Sequence, residues 1–346
     1  MKKTVLLGMS GGIDSSVAVH LLKERGYDVT GCHLLFTESA SEDSPAALRA
    51  KNTAEKLGIP LVFSDRRELF RERVTDTFCE MYMKGLTPNP CILCNTHAKF
   101  IALREEADKA GAQFIATGHY ARTLFDGNGS VGLFRAPTKK DQSYFLYRVP
   151  RDILARTVFP LGDFTSKDEI RATGASLGLE AASAPDSQDI CFIPDGNCGA
   201  FLQAHLPEMP VSGDILDLRG QKVGTHTGIF NYTVGQRKGL GAFGKPMYVA
   251  GINAADNTVT VCSSEERFTH NIRAGRLCCT AGEFPDGDFN AGIMIRSTSA
   301  PVNARVRITE DGIMTAHLEN AVFSPCPGQS AVLYDGEKVL GGGIIF

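Results

Sequence analysis

No apolar run in the 346 residues is long enough to cross a bilayer, and the opening Met-Lys-Lys-Thr leads only into a short strand-like run. A cytoplasmic protein with no membrane role is expected. Charge of one sign does not accumulate either: 36 Lys and Arg against 39 Asp and Glu leave a formal net charge of −3. That excludes bulk attraction to nucleic acid, so any RNA contact must use local basic patches. Internal repeats and low-complexity stretches are missing. The C-x-x-C at Cys91–Cys94 has no second copy, and no histidine pair stands at zinc spacing, so no structural metal set is assigned. Ten cysteines in a reducing compartment read as core residues, ligands or catalysts rather than a disulfide frame. What remains is an ordinary globular composition, 43% hydrophobic and 22% charged, at a length that calls for two or three domains.

The most informative stretch is Gly8-Met9-Ser10-Gly11-Gly12-Ile13-Asp14-Ser15-Ser16. The β-branched run Thr4-Val5-Leu6-Leu7 precedes it, and Val17, Ala18, Leu21 and Leu22 follow at helical spacing. A strand, a glycine turn and a helix start converge backbone N–H groups and the positive helix end on one point, which suits a phosphate. Gly11 and Gly12 let the main chain approach, and Ser10, Ser15 and Ser16 can add hydroxyl donors. Asp14 is out of place beside an anion unless a divalent cation lies between. No lysine follows the glycines and the G-x-G-x-x-G spacing is absent. The turn S-G-G-x-D-S instead resembles the pyrophosphate loop of the ATP-pyrophosphatase superfamily, which cleaves ATP between the α and β phosphates and adenylates a substrate oxygen.

Further along, strands at 29–35, 60–63 and 113–117 alternate with helices, one of them opened by Ser44-Pro45 and stopped at Gly58. Phe70, Val74, Phe78 and Met81 form one stripe of a long helix. The alternation predicts an α/β domain with a doubly wound parallel sheet, its ligands at the carboxyl ends of the strands. The glycine turn and Gly118-His119 both sit at such ends and are expected to share a pocket. Asp126–Gly129 reads as a hairpin turn, and Ser166-x-x-Glu169 as a capping box for a helix ending near Gly178. Pro207 to Pro210 reads as a linker, and from about Val211 short alternating strands replace helices. The expected domains are 1–205, a small central β domain at 206–266 and a β-barrel at 267–346.

Two cysteine segments stand out. Thr87-Pro88-Asn89-Pro90-Cys91-Ile92-Leu93-Cys94-Asn95 reads as an extended loop held by its prolines, with Cys94 just before a helix whose dipole would lower its thiol pKa. Cys191 lies in a short apolar run flanked by polar residues, compatible with burial or with presentation on a loop. Lys139–Tyr144 and Gln236-Arg237-Lys238 are compact basic and polar clusters that can hold phosphates or lie on a solvated surface.

Taken in order, Gly8–Ser15, Pro88-Asn89-Pro90, Cys94-Asn95, Ala116–Arg122, Lys140–Leu146, Ile190–Ile193, Tyr232–Gly241, Pro327-Gly328-Gln329 and Gly341-Gly342-Gly343 resemble the bacterial tRNA-specific 2-thiouridylases (MnmA/TrmU) over nearly the whole chain. The resemblance implies an ATP-pyrophosphatase-type (PP-loop) domain, a small β domain and a C-terminal β-barrel. It implies ATP-dependent thiolation of the wobble uridine in tRNAs for Lys, Glu and Gln, with Mg²⁺ as companion ion. By the same resemblance Cys191 carries a persulfide and Cys94 is the nucleophile that releases its sulfur, leaving a Cys94–Cys191 disulfide. Gly8, Met9, Ser10, Gly11, Gly12, Ile13, Asp14 and Ser15, with Leu34 and Gly118, would bind ATP. Asn89, Pro90 and Cys91 would face the extruded base. His119, Lys140, Asp141, Gln142, Arg296, Ser297 and Gln329 would contact tRNA. Cys91 stands where many relatives carry Asp, and Cys91, Cys94 and Cys191 together could hold an iron–sulfur cluster. The expected partners are tRNA and a persulfide donor, with the protein itself a monomer. Two other readings compete: a PP-loop amidotransferase or ligase, and a non-catalytic RNA-binding protein.

Overall fold

The computed structural model describes all residues except 1, 184–189, 194, 207, 209–211 and 242. The expected Pro207–Pro210 linker thus lies largely outside the described residues. Strand β1 (Thr4–Gly8) leads into helix α1 (Ile13–Glu24), followed by β2 (Asp28–Leu35), α2 (Pro45–Leu57) and β3 (Leu61–Asp65). The stripe from Phe70 to Met81 is one helical run, α3 (Arg67–Phe70) passing through a π-turn at Arg71–Thr75 into α4 (Asp76–Met83). A second run joins α5 (Pro90–Cys94) through a π-turn at Asn95–Lys99 to α6 (Phe100–Lys109). Then come β4 (Phe114–Thr117), the hairpin β5 (Ala121–Phe125) and β6 (Val131–Arg135), α7 (Arg151–Leu154), β7 (Thr157–Val158), α8 (Lys167–Ser176) and α9 (Cys198–His205).

The first sheet has the order β3-β2-β1-β4-β7 with every pairing parallel. Both of its faces are covered, which is why its strands read as apolar runs. Successive residues of β1 enter different cores: Leu6 packs with Phe100 and Leu103 of α6, while Val5 and Leu7 pack with Val19 and Leu22 of α1 and Ala50 of α2. Each such burial contributes about 1.5–3 kcal/mol of transfer free energy. The capping box at Ser166 and Glu169 is formed, and α8 ends before Gly178, whose φ is +63°.

The central strands β8 (Gly213–Leu216), β9 (Lys222–His226), β10 (Tyr248–Asn253) and β11 (Thr258–Cys262) form a sheet ordered β10-β11-β8-β9. Strands β12 (Phe268–Cys279), β13 (Asp288–Met294), β14 (Val302–Ile308), β15 (Met314–Phe323), β16 (Ser330–Asp335) and β17 (Lys338–Ile345) follow. Because β12 pairs with both β15 and β17, these six strands close into a barrel. The hairpin β5–β6 does not stay with the parallel sheet. Phe134 pairs with Lys338 on β17, and Val131 and Leu133 share a core with Val332, Tyr334 and Val339 of the barrel. Among the described residues no helix is long and apolar enough to cross a membrane.

Candidate active site

Strand order reverses between β1 and β4, leaving a crevice at their carboxyl ends where an open α/β sheet binds its ligands. The glycine turn enters it from β1. Gly11 has φ +74°, and a Cβ there would stand 2.1 Å from the carbonyl oxygen of Ala46. Only glycine fits both constraints. Arg49 Nε donates to the Gly11 carbonyl at 3.0 Å and ties the turn to α2. Gly12 is the N-cap of α1 and receives no side-chain cap there. From β4, Gly118 presses on the turn so closely that a Cβ would lie 2.9 Å from the Ser15 nitrogen. Ser15 faces the crevice, whereas the Ser16 hydroxyl donates to Gly12 O and meets Thr53 Oγ1 at 3.2 Å inside the core. Ser16 is therefore not the phosphate donor that the sequence suggested. Asp14 accepts from Tyr120 Oη at 2.7 Å and pairs with Lys167 Nζ at 3.2 Å. Lys167 thus balances its charge from α8.

A cavity of about 530 Å³ runs from this turn to the cysteines. Gly8, Met9, Ser10, Asp14 and Ser15 line one end, with Leu34, Gly118, His119 and Gln142 beside them. Pro90, Cys91, Cys94 and Cys191 line the other end. Stretches far apart in sequence thus meet in one chamber. Of the remaining expected ATP residues, Gly11 and Gly12 shape the turn, while Ile13 packs with Ile170 and Leu179 in the core behind it. Sequence reasoning missed an aromatic wall: Phe36 stacks on Phe70 with centroids 4.9 Å apart, and Phe192 meets Phe70 edge-on at 5.7 Å. It also missed Asn95 and Lys99, both on the cavity wall. Asn95 is 2% exposed; its Nδ2 donates to Phe145 O, and its Oδ1 has no partner.

The Cys94 thiol is not activated in the way the sequence suggested. Asn89 caps α5, its Oδ1 accepting from Ile92 N, and Pro90 occupies the first helical position. Cys94 is therefore inside a helical run that continues to Lys109, not at its positive end. Burial raises its pKa to about 11, with Lys99 pulling down and the neighbouring Cys191 and Cys91 pushing up. Cys191 is exposed at the cavity mouth yet flanked by protein on most sides. Burial again raises its pKa, Cys91 adds to the rise and Lys99 opposes it. Cys91 is exposed too, its pKa raised by burial of the thiol and lowered by Lys99. His119, 2.8 Å from Thr117 Oγ1, is kept neutral by burial and then by Lys99.

Of the other expected RNA contacts, Gln142 lines this chamber, and Lys140, Asp141, Arg296, Ser297 and Gln329 lie outside it. The Asp141 carboxylate accepts from Ala136 N, Ser143 Oγ and Arg135 Nε, so it shapes its own loop. Lys140 is exposed on that loop, and Gln142 Oε1 accepts from Tyr120 N. Tyr144 Oη donates to Ser330 O on the barrel. Arg296 lies over the Phe323 ring at 4.2 Å and donates to Ser324 O, with Ser297 partly exposed beside it. Gln329 Nε2 donates to Thr87 O at 2.9 Å and pins the segment before Asn89.

Residues 3–195 match the family described as tRNA methyl transferase HUP domain, residues 199–263 its PRC-barrel domain and residues 269–345 the aminomethyltransferase beta-barrel domain. A tRNA-specific 2-thiouridylase MnmA of Acetivibrio thermocellus is 39% identical over 99% of each chain. The MnmA of Roseiflexus sp. (strain RS-1) is 40% identical, covering 99% of this chain and 98% of its own. The chain belongs to the tRNA-specific 2-thiouridylase family. The MnmA of Clostridioides difficile (strain 630) agrees, at 38% identity over 100% of this chain and 98% of that one. The domain descriptions use the word methyl transferase, but these thiouridylase-family relatives match from end to end.

Proposed function

We propose that the protein is an ATP-dependent tRNA 2-thiouridylase acting on the wobble uridine of tRNAs for Lys, Glu and Gln. One observation carries this reading: a single chamber joins a phosphate-binding turn to three thiols. A carbonyl flanked by two nitrogens resists a sulfur nucleophile because its oxygen leaves poorly. Adenylation solves that. The C2 oxygen attacks the α-phosphorus of ATP, pyrophosphate departs, and AMP becomes the leaving group. The turn from Gly8 to Ser15 offers its N–H groups to the phosphates. Asp14, the carboxylate at that end, is where a magnesium ion on the nucleotide would be held, since such ions take one or two carboxylates plus substrate phosphates; the ion would offset charge on the departing pyrophosphate. Leu34 and Gly118 border the nucleotide. The aromatic wall suits a flat base, which must leave its stack to be modified, and the orphan Oδ1 of Asn95 offers an acceptor to a ring N–H.

Cys191, loaded as a persulfide by a donor protein, attacks C2 with its terminal sulfur and displaces AMP. The Cys94 thiolate then attacks Cys191 Sγ. The sulfur–sulfur bond breaks, its electron pair goes to the sulfur on C2, and a Cys94–Cys191 disulfide is left for an external dithiol to reduce. Lys99 favours the thiolate at both positions. An iron–sulfur cluster fits less well. Although the three cysteines line one cavity, no three His, Cys, Asp or Glu side chains among the described residues gather closely enough to hold a metal ion. No step is drawn through a cluster.

Purified protein supplied with ATP, Mg²⁺, a persulfide source and unmodified tRNA is expected to yield 2-thiouridine. Cys191→Ser is expected to abolish thiolation while still releasing pyrophosphate. Undiminished sulfur transfer by that variant would overturn the relay.

A further inference from the structure

Helix α5 has two working faces. Cys91 and Cys94 line the chamber described above, while Ile92 and Leu93 line a second cavity of about 210 Å³ behind it. Three cationic side chains from separate stretches converge there: Arg73 from the first π-turn, Arg148, and Arg276 from β12, beside His97 of the second π-turn, whose pKa burial and then Arg148 and Arg73 lower, keeping it neutral. No Asp or Glu lines the cavity, and among the described residues none of the three arginines forms a salt bridge. Gathering like charges without a counter-charge is unfavourable and calls for an anion.

Two independent observations point the same way. Thr96 is 9% exposed, lines this cavity, and its hydroxyl has no hydrogen-bond partner. A buried orphan of this kind leaves a hydroxyl free to donate to a bound anion or a water. Arg276 has φ +49°, a conformation that costs a residue with a Cβ. It sits where the β12–β17 register slips between Gly275 and Cys278. Its carbonyl accepts from Arg148 Nη1 at 2.8 Å, so the unusual backbone also holds a second arginine in place.

We propose that this cavity seats one phosphodiester of the RNA strand, beside the nucleotide whose base enters the catalytic chamber. Arg73, Arg148 and Arg276 supply the charge and the Thr96 hydroxyl donates to a phosphate oxygen. A helix is about 10 Å across, a distance that a flipped-out nucleotide bridges between its phosphate on one side of α5 and its base on the other. Asn89 stands at the edge of the seat, where the strand would pass around the helix start. The seat deepens the thiouridylase reading and rests on it.

The test uses the full chain with Arg73→Ala, Arg276→Gly and the pair combined. Glycine adopts φ +49° freely, so Arg276→Gly removes the charge without disturbing the backbone. Binding of an unmodified tRNA transcript is measured across a salt series, and ATP binding is measured without RNA. Each single variant is expected to weaken tRNA binding about fivefold to tenfold. The pair is expected to reduce the slope of log affinity against log salt by about 0.7, one single-strand phosphate contact, with ATP affinity unchanged. Unchanged tRNA affinity and slope would overturn the proposal. So would intact tRNA binding with altered inhibition by inorganic phosphate or pyrophosphate, which would assign the cavity to a free anion. If the wild type binds tRNA through these arginines yet forms no 2-thiouridine, the seat stands and the thiouridylase reading fails.

Discussion

Take the release step, in which the Cys94 thiolate attacks the sulfur of Cys191. With a thiol pKa of about 11, roughly 3 × 10⁻⁴ of Cys94 is ionised at pH 7.5, since each unit below the pKa is tenfold. The reactive form is scarce, and its share rises tenfold for each unit of pH. A high-pKa thiolate is the stronger nucleophile, which offsets part of that scarcity but not its pH dependence. The assay is single turnover: enzyme preloaded with persulfide on Cys191 is mixed with ATP, Mg²⁺ and tRNA, and 2-thiouridine is followed by mass spectrometry from pH 7 to pH 9.5. With release limiting, log rate should climb with a slope of about 1 and reach no plateau in this range. Lys99 lowers the Cys94 pKa, so Lys99→Met should slow the step and displace the profile to higher pH, while Lys99→Arg should restore it. A rate that is flat between pH 7 and pH 9, with adenylation shown not to limit it, would refute the account of Cys94. An unshifted profile in Lys99→Met would refute the role of Lys99.

Two further outcomes follow from the glycine turn. Gly11→Ala places a Cβ 2.1 Å from the Ala46 carbonyl at φ +74°, so α2 must move and the backbone is strained by about 1–2 kcal/mol. The apparent KM for ATP should rise on the order of tenfold, as read by pyrophosphate release. Lys167→Met strips Asp14 of the ammonium 3.2 Å away and leaves a carboxylate facing incoming phosphates. ATP binding should weaken about tenfold, partly recovered by Lys167→Arg.

Much of the chamber was legible in the sequence because its parts announce themselves locally. Two adjacent glycines after an apolar run can serve few purposes, and alternating strands and helices place Gly8 and Gly118 at neighbouring strand ends. The mistakes have physical causes. Cys94 looks like a helix start only if Asn89 and Pro90, a capping side chain and a proline at the first helical position, are passed over. The partner of Asp14 was hidden as well, because Lys167 is 153 residues away. Lys99, Asn95 and the wall of Phe36, Phe70 and Phe192 carry no local mark. They become a site only when two π-turns and the Cys191 segment bring them to one cavity. Pairing of the hairpin with β17 was equally invisible, since it rests on contacts 204 residues apart (Phe134 with Lys338).

That graft of the hairpin onto the terminal barrel limits how the protein can be divided. Val131 and Leu133 would be stripped of apolar cover by truncation at the start of the barrel, although they precede the cut by more than a hundred residues. Chimaeras that exchange barrels between relatives should therefore exchange residues 121–135 as well. The segment from Lys140 to Tyr147 hangs from the same junction through Ser330 and Tyr334, so a misfit there would reach the chamber through Gln142.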